Sequence, residues 1–183
     1  LPLNSLHKID EARQIVEKGI DSDKSFGIFF DVDLDGVSSG TIMTRYLRNY
    51  TDRVSSYINT GKAHGLIEQD LEQFNGIDIL IVVDSLDKNT SQYEELHDRG
   101  IQIIVLDHHA IASNVDYDKY VTLVSSQREY DNPSLSGAGV VWKFCKYLDE
   151  YFMNDYADEY VDLAACGILA DVCDVSEDSK ENR

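Results

Sequence analysis

The apolar positions of the chain are concentrated in short runs that alternate with amphipathic stretches. Residues 77–83 and 101–106 are almost entirely apolar and rich in β-branched side chains, and Phe26–Phe30 is a similar run. Uninterrupted apolar runs of this length are typical of strands buried on both faces of a sheet. Val54–Ile58 is predicted to be a further strand.

The stretches between these runs have helical spacing of apolar residues. Thr90 can cap one of these helices at its start, and Gly100 can end it. Strands that alternate with helices predict an α/β fold with a doubly wound, mainly parallel five-stranded sheet and helices on both faces. From about Ser136 the chain is predicted to be helical, with a break near 154–155. The helices predicted before that tail cover residues 3–18, 38–50, about 67–74 and 90–99.

Acidic residues and histidines follow three of the predicted strands directly. The carboxyl ends of parallel strands meet at one edge of the sheet, where open α/β folds bind ligands. Segments far apart in sequence therefore bring five aspartates and two histidines into one crevice: Asp31, Asp33 and Asp35, then Asp84, then Asp107, His108 and His109.

Such a group of side chains suits divalent cations, Mn²⁺ or Mg²⁺ before Zn²⁺. Several carboxylates in one pocket repel one another unless cations lie between them. Two cations about 3.5–4 Å apart can activate a water and stabilise the leaving oxygen of a phosphoryl group. Asp33 and Asp35 on one loop could serve both cations, and Asp84 is well placed to bridge them.

Two other interpretations of the first acidic cluster fit less well. An EF-hand loop that starts at Asp31 requires a bidentate Glu at its twelfth position, which is Ile42 here, and it should follow a helix. A haloacid dehalogenase fold also places Asp-x-Asp-Gly after its first strand, but it gives residues 107–109 no role. A solvated acidic turn explains each cluster singly, and not all three at strand ends.

Composition limits the class of protein. The formal net charge is -18, with 34 acidic and 16 basic residues, which argues against a generally basic nucleic-acid surface. Bound cations can still reverse the field inside one acidic pocket. No apolar run approaches the ~20 residues that span a bilayer, so no membrane partner is predicted. Cys145, Cys166 and Cys173 are interpreted as reduced thiols of a cytoplasmic protein. The first residues, Leu1 and Pro2, suggest a fragment of a longer protein.

Four motifs in order resemble those of the DHH phosphoesterases, a superfamily named after the triplet at Asp107. The first, D-V-D-L-D-G-V-S-S, is similar to the D-Y-D-V-D-G-I-T-S of the RecJ branch, and the His and Pro-Asp-Gly-Asp pattern of the nano-RNase branch is absent. The resemblance runs from about residue 24 to the end of the chain. The four motifs are 31–39, 81–85, 107–109 and 167–171, and residues 136–140 resemble the L-S-G-A-G-V helix start of the family.

The resemblance implies roles for particular residues. It implies two Mn²⁺ or Mg²⁺ ions bridged by Asp84, with Asp31 beside them as a ligand or a supporting group. It implies that His109 contacts the scissile phosphate and that Asp107 orients the histidines. The implied metal ligands are Asp33, Asp35, Asp84, His108 and Asp171.

The resemblance also implies a substrate-binding loop and a division into domains. Residues 60–66 resemble the family's P-N-R-x-x-x-G-Y-G loop loosely, which makes Lys62 and His64 candidate substrate contacts, as are Ser136 and Gly137. Residues 1–23 form a lead-in helix and residues 24–183 the catalytic domain. The family's second, substrate-binding domain has a glycine-rich motif, and this chain contains no Gly-Gly pair; we therefore expect that domain in the full-length protein.

The implied function is metal-dependent hydrolysis of phosphodiester bonds, as a 5′→3′ exonuclease on single-stranded DNA. One alternative keeps the chemistry and changes the substrate to short oligonucleotides, cyclic dinucleotides or nucleotide phosphates. Another is a non-catalytic binding module like the inactive RecJ relative of eukaryotic helicases, which has lost metal ligands. Here every motif position is filled.

Overall fold

Five parallel strands form one sheet in the order β2-β1-β3-β4-β5 in the structure, a computed structural model that describes residues 1–176 and 181–183. The apolar runs of the sequence become these strands because the side chains of the three central strands are buried or nearly so, except for Gln102 at the start of β4. The strands are β1 (Phe26–Phe30), β2 (Val54–Ile58), β3 (Ile79–Val83), β4 (Gln102–Asp107) and β5 (Thr122–Ser125).

The strand order reverses around β1. Phe26 of β1 lies opposite Val54 of β2 on one side and opposite Ile79 of β3 on the other. The connections that leave β1 and β3 therefore diverge, which opens a crevice at the carboxyl ends of these strands. This is the edge at which the sequence places its acidic residues and histidines.

Five α-helices surround the sheet in the part of the chain that the structure describes. They are α1 (Ile9–Asp21), α2 (Leu34–Leu47), α3 (Ser91–Asp98), α4 (Gly137–Phe152) and α5 (Val161–Ala170). The predicted break in the C-terminal helical part is real: Met153 has a left-handed conformation, and a 3₁₀ helix, Tyr156–Tyr160, separates α4 from α5.

Three helix predictions had the wrong extent. The helix predicted from residue 38 begins at Leu34, because the Asp33 carboxylate accepts a hydrogen bond from the Gly36 N–H and caps it. The helix predicted for residues 3–18 is divided into a 3₁₀ turn and α1, with Lys8 in a left-handed conformation between them. The helix near 67–74 is a single 3₁₀ turn, Leu71–Phe74.

The alternation of side chains along each strand divides the core into two layers. On β3, Ile79, Ile81 and Val83 face the layer formed by α1, α2, α4 and α5, whereas Leu80 and Val82 face α3 and the irregular segments. The predicted α/β fold, with a parallel five-stranded sheet, helices on both faces and a helical C-terminal part, is therefore confirmed. The predicted domain 24–183 includes residues 177–180, which lie outside the described residues.

Among the described residues no helix has both the length and the apolar composition that a membrane span requires.

Candidate metal centre

The candidate site is built at the carboxyl ends of the adjacent strands β1, β3 and β4. Its side chains form two groups that share His108. One group is Asp35, His108 and Asp171, and the other is Asp84, His108 and His109; within each group the candidate ligand atoms lie within 4.8 Å of one another. Residues that are far apart in sequence, from Asp35 to Asp171, are thus brought together at one site.

Asp84 follows β3 directly and has a left-handed backbone conformation, with φ of 51°. Its side chain is only 1% exposed. The Oδ1 atom lies 3.1 Å from Nε2 of His108, but neither atom has a hydrogen-bond partner. Burial, together with the charges of Asp35 and Asp107, raises the pKa of Asp84 to about 7, although the contact with His108 opposes this. A buried carboxylate oxygen and imidazole nitrogen that lack hydrogen bonds can be satisfied by a third group that both of them bind.

Asp35 lies in the first turn of α2 and faces the beginning of α4. Its two carboxylate oxygens accept hydrogen bonds from the N–H groups of Gly137, at 2.7 Å, and Ala138, at 2.9 Å. These donors belong to a helix N-terminus, which favours negative charge. Burial nevertheless raises the pKa of Asp35, because the hydrogen bonds and the charge of His108 offset it only in part.

Asp107 holds His109. Its Oδ1 accepts a hydrogen bond of 2.5 Å from the His109 backbone N–H and lies 3.1 Å from the His109 Nδ1, while its Oδ2 accepts from Leu86 N–H at 2.9 Å. The contact with Asp107 raises the pKa of His109 to about 9. Asp107 is fully buried, which would raise its own pKa, but the hydrogen bonds and charge of His109 bring it below the ordinary value. These contacts are the arrangement expected of a carboxylate that orients an imidazole.

Asp171 is delivered by α5, which packs against α2. Its Oδ2 lies 3.1 Å from Nε2 of His108. The close approach of α5 depends on Gly167, since a Cβ atom there would overlap the carboxylate of Asp35. Burial alone would lower the pKa of His108, but its contact with Asp84 raises it.

The donor set fits a divalent cation. Carboxylate oxygens and imidazole nitrogens are ligands of Mn²⁺ and Mg²⁺, and the unpaired Oδ1 of Asp84 and Nε2 of His108 face each other within the cluster. A cation there would satisfy both atoms and remove the cost of ionising the buried carboxylates. The described residues therefore include groups that can bind a metal ion.

Two of the predicted ligands lie outside these two groups. Asp33 is exposed, and its carboxylate caps α2. Asp31 is buried, and its Oδ2 lies 2.5 Å from Nδ1 of His64, while its Oδ1 accepts hydrogen bonds from Val32 N–H and Asn59 Nδ2. A ligand role for Asp31 and Asp33 stays a prediction.

The four candidate substrate contacts have different environments. His64 lies at the site, with its ring centroid 4.8 Å from that of His109. Lys62 is exposed on the same loop. Ser136 is fully buried, and its hydroxyl accepts from Gly139 N–H to cap α4. Gly137 contributes the N–H that binds Asp35, as described above.

One buried carboxylate beside the site was not predicted. Asp87 is 1% exposed and lies three residues beyond Asp84. It accepts a hydrogen bond from the Leu66 N–H, at 2.9 and 3.0 Å to its two oxygens. Asn59, also missed, connects Asp31 to the same loop by donating to the Ala63 carbonyl. No motif marks either residue, because each has a partner distant in sequence: the Leu66 N–H for Asp87 and the Asp31 carboxylate for Asn59.

Residues 25–168 match the model of the DHH family, N-terminal domain, and the chain therefore belongs to the DHH family. The predicted family is confirmed. Two relatives carry names of single-strand DNA-specific exonucleases. The chain is 28% identical over 175 residues to a protein of Bacillus subtilis strain 168 that carries the name of a prophage-derived single-strand DNA-specific exonuclease, YorK. It is 29% identical over 175 residues to the single-stranded-DNA-specific exonuclease RecJ of Thermus thermophilus.

Two solved structures of RecJ also resemble the chain. An exonuclease RecJ bound to manganese superimposes on the whole chain with a TM-score of 0.87 and 26% identity, and the match covers 48% of that protein. RecJ of Thermus thermophilus in complex with Mn²⁺ gives a TM-score of 0.84, also at 26% identity. The chain spans only 30% of the YorK relative and 26% of the Thermus RecJ, although it is itself matched over 93% and 94% of its length.

Proposed function

We propose that this chain hydrolyses phosphodiester bonds of single-stranded DNA and removes nucleotides from a 5′ end, with two divalent cations, Mn²⁺ or Mg²⁺, in its centre. One observation carries the proposal. Asp35, Asp84, His108 and Asp171 converge at the crevice of the sheet, where Asp84 Oδ1 and His108 Nε2 are buried without a hydrogen bond, on a fold that matches manganese-bound RecJ.

The carboxylates around His108 can serve two neighbouring cations. Asp35 and Asp171 belong to one group and Asp84 to the other, and Asp84 Oδ1 lies 3.1 Å from Nε2 of His108, the residue that both groups share. Asp84 is our proposed bridging carboxylate, and His109 of the second group is left to contact the phosphate. When bound, such a pair of cations supplies an activated water and a positive field around the leaving oxygen. Asp31 and Asp33 complete the proposed set of ligands from the loop after β1.

The role of the protein's own residues is to position the phosphate and stabilise its charge. Hydrogen bonds from His109 to the Asp107 carboxylate fix the His109 ring, and the same carboxylate raises the pKa of the ring, to about 9 in metal-free protein, which favours its protonated form. A fixed cation at the mouth of the centre stabilises the negative charge that develops on the scissile phosphate. His64, beside His109, and Lys62 are proposed contacts for the substrate backbone, with Ser136 and Gly137 supporting the centre from α4.

The experiment is hydrolysis of single strands labelled at the 5′ or the 3′ end, in Mn²⁺. Mononucleotide release from the 5′ label first is expected, with loss of activity in His108→Ala. His97→Ala is the matched control, since His97 is exposed on α3, away from the centre. Release from the 3′ label first would contradict the proposed polarity. Equal activity of His108→Ala and His97→Ala would contradict the proposed centre.

The number of cations has its own test. Crystals soaked in Mn²⁺ should give two anomalous peaks, both within reach of Asp84. A single peak remote from Asp84, or none, would exclude the two-metal scheme.

A second candidate substrate is favoured by the charge of the chain. With a net charge of -18 there is little outside the centre to bind successive phosphates of a long strand. Short oligonucleotides, cyclic dinucleotides or nucleotide phosphates need fewer such contacts. Rates measured on strands of graded length distinguish the two candidates.

Cytoplasmic localisation, where the three free cysteines would remain reduced, belongs to the same proposal.

A further inference from the structure

The carboxylate of Asp87 lies under the loop that carries His64. It is 1% exposed, and both oxygens receive the Leu66 N–H. Its backbone is fixed as well, because the Tyr117 hydroxyl donates to the Asp87 carbonyl at 2.7 Å and the Asp87 N–H donates to the Tyr93 hydroxyl at 3.1 Å. Asp87 is therefore a rigid acceptor that projects toward the loop.

The loop fits closely onto this acceptor at Gly65. Gly65 has a φ of +85°, and a Cβ atom there would overlap the Asp87 carboxylate. Its N–H donates to the Ser85 hydroxyl at 2.9 Å. Two consecutive backbone amides, those of Gly65 and Leu66, are thus bound by side chains from the segment that follows β3. The loop conformation is specified by the same segment that carries Asp84.

The residue before Gly65 is the one that reaches the centre. His64 Nδ1 lies 2.5 Å from Asp31 Oδ2, and its ring is 4.8 Å from the ring of His109, centroid to centroid. The His64 side chain is nearly half exposed, at 47%. It therefore presents an accessible face beside His109, where the substrate phosphate is proposed to lie.

We propose that Asp87 is a positioning residue for substrate: it holds residues 64–66 and thereby keeps the His64 imidazole beside His109, in contact with the phosphodiester. Asp87 itself touches neither metal nor substrate. The contact of His64 with substrate rests on the proposed function. The position of His64 rests on geometry alone.

Two substitutions change opposite sides of the same contact. Asp87→Asn keeps the size of the side chain and leaves one oxygen for the Leu66 N–H, whereas Gly65→Ala forces the loop away from an intact Asp87. Both should lower kcat/KM by about 10- to 100-fold, the loss that displacement of a substrate-contacting group causes, with Mn²⁺ affinity unchanged. Asp70→Asn is the matched control, since Asp70 is an exposed carboxylate that caps the neighbouring 3₁₀ helix.

A double-mutant cycle separates positioning from a general structural role. If Asp87 acts through His64, Asp87→Asn should cost less than about 2-fold in a His64→Ala background, because interacting residues are not additive. Equal losses in both backgrounds would overturn the proposal.

The position of His64 can also be measured without turnover. The chain has five histidines, so the ring signals of His64 can be assigned by NMR from the His64→Ala spectrum. Asp87→Asn and Gly65→Ala should shift the His64 signals in metal-free protein, and Asp70→Asn should not. Unchanged His64 signals in both variants would overturn the proposal. If the wild-type chain hydrolyses nothing, the proposed function fails, and the NMR comparison still decides the position of His64.

Discussion

Asp84→Asn replaces the most deeply perturbed carboxylate of the centre by an amide of nearly the same size. Asparagine also tolerates the left-handed conformation that Asp84 adopts, with φ of 51°. The substitution therefore removes the negative charge with little change in packing or backbone strain. In metal-free protein we expect it to stabilise the fold at neutral pH.

The magnitude follows from the pKa of Asp84, which rises from an ordinary value of 3.8 to about 7. Because the folded state holds this proton more tightly, the free energy of unfolding falls as pH rises from 3.8 through 7. At ~1.4 kcal/mol per pKa unit, the ionised carboxylate costs the fold about 4 kcal/mol above pH 7 and less than half of that at pH 5. The advantage of Asp84→Asn over wild type should thus increase by about 2 kcal/mol between pH 5 and pH 7.

The assay is urea unfolding of chelator-treated protein at several pH values in this interval. His109 complicates comparison at higher pH, since its pKa of about 9 adds a loss of stability as pH rises above neutrality. Asp70→Asn serves as control and should parallel wild type. Saturating Mn²⁺ should stabilise wild type by ~2.7 kcal/mol at a concentration of 100 times Kd, and should stabilise Asp84→Asn far less. If the difference in the free energy of unfolding between wild type and Asp84→Asn stays constant with pH, this account of the buried carboxylate is refuted.

Three further outcomes are expected. His109→Ala should retain Mn²⁺ binding and lose about 10²–10³ in rate; loss of metal as complete as in Asp84→Ala would show that His109 is chiefly a ligand. Gly167→Ala should weaken Mn²⁺ binding by about 10-fold or more, because its Cβ displaces the Asp35 carboxylate; manganese titration followed by electron paramagnetic resonance measures this, and wild-type affinity would contradict it. With 34 acidic and 16 basic residues, the chain should cut strands distributively, and processive degradation in the presence of excess unlabelled trap would show an unrecognised DNA-binding surface.

The strands and the convergence of the site could be predicted from the sequence. β1 and β2 have the predicted bounds, Phe26–Phe30 and Val54–Ile58; those of β1 follow from its uninterrupted apolar run. The convergence of Asp84 with His108 followed from the rule that parallel strands share an edge. Both inferences need only local pattern and one topological rule.

The details that the sequence did not show depend on contacts between distant segments or on a second role for one side chain. The Asp33 carboxylate caps α2 and starts that helix earlier than predicted, and its predicted role as a ligand stays a prediction. Asp87 has no motif, since its partner is a backbone amide of Leu66 on another loop. His64 could be predicted only from a loose resemblance, and its contact with Asp31 required the folded loop.

The position of Asp171 has a consequence for biosynthesis. Asp35 lies in the first helix after β1, and Asp171 directly follows α5, which packs on α2. During synthesis all five strands leave the ribosome before α5 does, so the sheet can form while Asp171 is still absent from the site. A nascent chain that stalls before α5 would have its complete sheet and would lack Asp171, so the candidate metal centre would be complete only after α5 and Asp171 have been translated.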